Sequence, residues 1–165
     1  RWGGRPAAAG CPLPAPPLPP GRPPHPAPPP PPPRLSPGFG PALASARCAL
    51  AVHTNKPGAM ARRILEGLGV LSRFGAVVGG DEVPRKPDPA GTLAIMARLG
   101  ASPGETVFVG DSRVDQETAA AAGVRFVAGS WGFAPASPLR DGAAAVARDA
   151  SDLLPWLSDG GPPGR

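Results

Sequence analysis

Proline sets what the first quarter of this 165-residue chain can become. Of the 28 prolines, 18 fall in residues 1–41, and nine of the eleven residues Pro23–Pro33 are proline. Each one fixes φ and removes a backbone N–H, so such a run builds neither an α-helix nor an interior strand. It favours a stiff, extended, left-handed helix without internal hydrogen bonds. Besides Trp2, the segment holds only Leu13, Leu18, Leu35 and Phe39 as larger apolar side chains. That surface is too small to offset the entropy of ordering the segment. Residues 1–41 are therefore expected to be extended or disordered. They suit a disordered tail, or GC-rich DNA translated out of frame, better than a ligand for aromatic-groove adaptor domains. The foldable part, residues 42–160, suits one compact domain and no more.

The formal charge of +5 is unevenly spread. Residues 1–41 carry four arginines and no acid, and the remainder carries 13 basic against 12 acidic residues. No basic stripe interleaved with aromatics follows, which argues against nucleic acid as a partner. Arginine outnumbers lysine 15 to 2, a mark of GC-rich coding more than of function. Two cysteines, Cys11 and Cys48, make neither a disulfide framework nor a metal cluster, and Cys48 is expected in the core. No apolar run reaches the ~18 residues of a membrane span, and no charged-then-apolar leader is present. The expectation is a soluble, cytoplasmic protein without a membrane partner.

From Ala49 the chain alternates strand and helix signals. A strand at Ala49–His53 ends in the turn Thr54-Asn55-Lys56-Pro57, with Pro57 suited to a first helical turn. A helix then sets Met60, Ile64 and Leu68 on one face and stops at Gly69. Ala76–Val78 reads as a strand, followed by a loop to Lys86-Pro87-Asp88-Pro89 and a helix carrying Leu93, Met96, Ala97 and Leu99. Thr106–Val109 is the next strand, Gln116–Ala122 the next helix and Val124–Ala128 the strand after it. A short strand at Ala144–Ala147 and a capped helix from Ser151 close the pattern. This order implies an α/β fold, a Rossmann-like parallel sheet covered by helices on both faces.

Ligands of such sheets bind beyond the carboxyl ends of the strands, where the polar residues of interest fall. Thr54 follows the first strand, Lys86 lies in the loop after the second, and Asp111 follows the third. Asp115, four residues on, lies one helical turn away. A hydroxyl, an ammonium and two carboxylates on one rim are the parts of a phosphate and Mg²⁺ site. Each also has a plainer role: Thr54 as a helix cap, Lys86 as a solvated side chain, the acids as partners of a helix dipole. His53 reads as a strand residue.

Three stretches resemble motifs of the haloacid dehalogenase superfamily, within it the phosphoglycolate phosphatase group. Val52-His53-Thr54-Asn55-Lys56-Pro57 is similar to its second motif, Arg85-Lys86-Pro87-Asp88-Pro89 to its third, and Gly110-Asp111-Ser112-Arg113-Val114-Asp115 to its fourth. Val78-Gly79-Gly80-Asp81 and Ser130-Trp131-Gly132-Phe133 also suit that group. The resemblance covers about residues 48–157 and implies a phosphomonoesterase acting on a small phosphorylated metabolite. It makes Thr54, Asn55 and Lys86 phosphate-binding, Lys86 also catalytic, and Asp111 a ligand of Mg²⁺. Asp115 would support the metal site or Lys86.

The family begins with a strand ending in Asp-x-Asp, whose first carboxylate attacks phosphorus and whose second is the general acid and base. In this sequence no Asp or Glu precedes Glu66. The family's helical cap domain, inserted before the Thr54 strand, has no counterpart either. The resemblance thus implies a core without its first strand and cap: an inactive fragment, through a frameshift, a wrong start or an incomplete gene. The other reading is a non-catalytic phosphate- or partner-binding module using the proline-rich tail. In the family the first strand lies between the Thr54 and Asp111 strands, so those two are expected to flank an empty slot.

Overall fold

The computed structural model of the protein describes residues 34–132 and 141–158. Expectations for residues 1–33, for Phe133 and for residues 159–160 lie outside the described residues. Among the described residues the first element is α1 (Phe39–Ser45), so the chain is helical from three residues before the boundary expected at 41/42. Phe39 is the reason: its ring packs edge-on against Trp131, with centroids 5.1 Å apart.

The alternation then runs β1 (Leu50–His53), α2 (Gly58–Gly67), β2 (Phe74–Val78), α3 (Ala90–Leu99), β3 (Val107–Gly110), α4 (Arg113–Ala121), β4 (Arg125–Gly129) and β5 (Ala145–Ala147). A 3₁₀ turn at Ala150–Leu153 leads into α5 (Leu154–Leu157). Every pairing is parallel, with α2 crossing from β1 to β2 and α4 from β3 to β4. The strands form two sheets, β1-β2 and β3-β4-β5. Among the described residues no strand joins β1 to β3.

The three-stranded sheet is covered on both faces. Phe108, Phe126, Ala128 and Val146 pack with Met96 of α3 and with Ala119 and Ala122 of α4. The alternate residues Val107, Val127, Ala145 and Ala147 pack with Phe39, Leu153, Trp156 and Leu157. This is the period-two division of a strand between its two faces. Four of the five β4 residues are buried, whereas none of β1 or β3 is.

Three packing expectations are corrected. Met60 is exposed, and α2 buries Gly58 and Ala61 instead. A Cβ on Gly79 would overlap the Gly58 backbone, so α2 approaches the end of β2 too closely for a methionine. In α3, Leu93 is exposed and the inner face is Thr92, Ile95 and Met96, because Thr92 is turned in to meet His53. Cys48 is exposed, lying in the link ahead of β1. Among the described residues no helix is long and apolar enough to cross a membrane.

Candidate functional site

Thr54, Lys86 and Asp111 all follow the carboxyl ends of their strands, as the α/β pattern requires. Thr54 does not cap a helix. Its N–H extends the β1–β2 ladder to the Val78 carbonyl, and its hydroxyl accepts the Lys56 N–H at 3.2 Å. α2 starts four residues later, where Asp81 Oδ1 accepts the Gly58 N–H at 2.7 Å. Asp88 does the same for α3, accepting the Ala90 N–H at 2.8 Å. Both acids thus offset helix N-terminal donors and dipole.

Asn55 links the first two motifs. Its Oδ1 accepts the Lys86 N–H at 2.8 Å, and its Nδ2 donates to the Lys86 carbonyl at 3.1 Å. The amide holds both backbone groups of one residue, so the Lys86 loop cannot rotate freely about it. The Lys86 ammonium reaches Asp115 Oδ1 at 2.6 Å, with side-chain exposures of 12% and 8%. It also lies 5.6 Å from the centre of the Phe108 ring, whose face attracts a cation.

Asp115 is spoken for on both oxygens. Oδ2 accepts the Ser112 hydroxyl at 2.6 Å and the backbone N–H groups of Ser112 and Asp111 at 3.2 and 3.3 Å. Ser112 in return accepts the Asp115 N–H, forming a capping box at the start of α4. This cap moves the helix start to Arg113, ahead of the expected Gln116. Burial disfavours the Asp115 anion, but Lys86, Ser112 and the Asp111 N–H outweigh it and hold the carboxyl below its ordinary value.

His53 sits beneath this cluster. Its Nδ1 is 3.0 Å from Thr92 Oγ1, and its ring meets Phe108 edge-on at 6.2 Å between centroids. A Cβ on Gly91 would overlap the imidazole, so glycine makes room for it. Nε2 is buried without a hydrogen-bond partner. Burial, reinforced by the Lys86 charge, pushes the imidazole down to about 4. His53 is therefore neutral at pH 7. Neither Thr92 nor Gly91 carried a signal in the sequence, because an ordinary helix face explains both.

Asp111 directly follows β3, its carboxylate against the backbone of Gly132, where a Cβ would overlap it. Whether these residues suit Mg²⁺ is decided by their donors. Among the described residues no three His, Cys, Asp or Glu side chains come together as a metal site. Asp115 gives its oxygens to Lys86 and Ser112. The described residues alone do not fit a Mg²⁺ site.

Fold and rim together define a doubly wound α/β protein whose motif residues meet beyond the strand ends. The model of the haloacid dehalogenase-like hydrolases matches residues 41–129, and the chain belongs to that family. It is 44% identical over 117 residues to a phosphoglycolate phosphatase of Rhodospirillum rubrum, covering 70% of this chain and 48% of the relative. A HAD-superfamily hydrolase of subfamily IA from Geobacter sulfurreducens superposes with a TM-score of 0.62 at 32% identity, over 73% of this chain and 59% of that one. A structure described as a predicted phosphoglycolate phosphatase, from Haemophilus somnus, gives 0.66 at 30% identity, over 72% and 55%. The chain spans about half the length of the curated relatives it matches.

Proposed function

We propose that these residues are the phosphate-binding half of a phosphomonoesterase of the phosphoglycolate phosphatase type. Such an enzyme converts a phosphate ester and water to an alcohol and phosphate. The observation that carries the reading is Lys86, whose backbone is held by Asn55 and whose ammonium is fixed at the rim by Asp115. A largely covered cation with a set direction suits phosphoryl oxygens, and the Thr54 hydroxyl can donate to the same group. The substrate is a small phosphorylated metabolite. Phosphoglycolate is its first candidate, on the strength of the relatives' names.

The 165 residues alone bind without turning over. No carboxylate precedes Glu66 to attack phosphorus. Asp81 and Asp88, the downstream candidates, each give an oxygen to a helix N-terminus. Positioning groups without a nucleophile leave only the residual rate that binding and electrostatics supply. Mg²⁺ binding is weak for the same reason that the donors are few.

The test is phosphate release from phosphoglycolate and from an aryl phosphate, beside calorimetric binding of inorganic phosphate. The expected result is turnover no faster than Lys86→Ala, with phosphate binding lost in that variant. Mg²⁺-dependent turnover abolished by Asp111→Asn overturns the inactive reading. Phosphate binding indifferent to Lys86 overturns the site.

A further inference from the structure

The Lys86 side chain is a flexible four-carbon stem with a compact charge, so its direction has to be imposed from outside. Asp115 Oδ1 takes one of its three N–H groups at 2.6 Å. The second constraint is the Phe108 ring, whose centroid lies 5.6 Å from the ammonium. A ring face attracts a cation without accepting a directed hydrogen bond. It therefore fixes where the charge rests and leaves donors for a ligand.

Phe108 is itself only partly buried, at the border of the cluster that holds Met96, Ala119 and Phe126. Its remaining neighbour of note is His53, whose ring meets it at 70° with centroids 6.2 Å apart. The imidazole is seated by the first turn of α3. Thr92 Oγ1 lies 3.0 Å from Nδ1, and a Cβ on Gly91 would overlap Nε2. One turn further on, Met96 of the same helix belongs to the cluster beside Phe108. One helix thus seats both rings.

Nothing in the strand asks for an imidazole here. His53 stands opposite Val78 in the β1–β2 register, where an aliphatic residue would serve as well. Among the described residues Nε2 is buried with no hydrogen-bond partner, a cost that an apolar side chain would avoid. A locally unfavourable choice beside a binding residue marks a functional position.

We propose that His53 is a positioning residue for Lys86: it holds the Phe108 ring, and the ring holds the ammonium where a phosphoryl group meets it. The role rests on Lys86 as a phosphate-binding residue and adds what aims it. A neutral ring suits the place, because a second cation would repel Lys86; Asp115 and Asp88 are the acids whose charges it feels.

The experiment uses the full chain with inorganic phosphate as the probe. His53→Asn keeps a polar atom to bond Thr92 but removes the far side of the ring. Phe108→Leu keeps an apolar side chain but removes the ring face. Affinity is read by calorimetry, and the Lys86 side-chain methylene signals by NMR, which a ring face moves upfield. The chain has two lysines, so Lys86→Ala assigns them. His53→Asn is expected to weaken phosphate binding roughly three- to tenfold. It should also move the Lys86 signals towards those of the exposed Lys56. In the Phe108→Leu background it should change neither, because the intermediary is gone. Should His53→Asn not fold, Thr92→Val, which frees the ring without removing it, is read in the same way. Unmoved Lys86 signals in the folded variant overturn the proposal. So does an effect of equal size with and without the Phe108 ring. Absence of phosphate binding by the unaltered chain overturns the phosphate reading instead, while the Lys86 signals still decide the positioning.

Discussion

Asn55 and Lys86, 31 residues apart, are joined by two hydrogen bonds between the asparagine side chain and the lysine backbone. The amide supplies one donor and one acceptor to a residue whose own groups face outward from a loop. An extended loop of this kind has no ladder to fix it, so the side chain takes the place of a neighbouring strand.

Replacing Asn55 with alanine removes both bonds. The expected cost is about 1–2 kcal/mol, read by urea denaturation, with phosphate affinity falling as the Lys86 loop loosens. Asn55→Asp should recover less than half, because a carboxylate accepts from Lys86 N–H but repels its carbonyl.

The Lys86–Asp115 pair is close and shielded, at 2.6 Å with both side chains largely covered. Asp115→Asn leaves the ammonium without its counter-charge and should cost roughly 3 kcal/mol. Lys86→Met together with Asp115→Leu should be less destabilising than either single change, since no uncompensated charge remains. A double-mutant cycle by chemical denaturation measures the difference.

His53 gives the fold an acid-side dependence. The unfolded imidazole takes up a proton near 6.5, and the folded one resists until about pH 4. Stability is fully present above pH 6.5 and falls as pH drops towards 4, by up to about 3 kcal/mol. His53→Gln should flatten the denaturation midpoint across this window. Asp115 acts lower: its depressed value stabilises the fold above the ordinary carboxylate range, and that contribution is lost as pH falls below it.

Gly132 touches the Asp111 carboxylate where a Cβ would overlap it. Gly132→Ala should therefore move the Asp111 side chain or the loop, at a cost of roughly 1–3 kcal/mol. Thermal denaturation and the Asp111 and Gly132 backbone amide shifts in NMR spectra report the two effects. Unchanged shifts at both would show that the loop has room.

The order of elements was legible because periodicity is local. Strands of four or five residues between glycine-stopped helices announce themselves, and all five expected strands are present within two residues of their expected bounds. The faces were less legible. Leu93 lies outside and Thr92 inside, since a threonine turns inward only when a partner such as His53 waits on another strand. The motif ends Thr54, Lys86 and Asp111 came from position alone, because the carboxyl ends of parallel strands lie on one rim.

What each of those residues touches was decided in three dimensions. Asp115 reads equally well as a metal ligand, a helix-dipole partner or a lysine partner until Lys86 arrives from 29 residues away. The roles of Asp81 and Asp88 likewise come only with α2 and α3, whose first N–H groups lie against them. Local sequence determines which segments extend and which coil, since that depends on neighbours three or four residues distant. Hydrogen bonds, ion pairs and open edges depend on which segments the fold brings within 3 Å of one another, and only packing sets that.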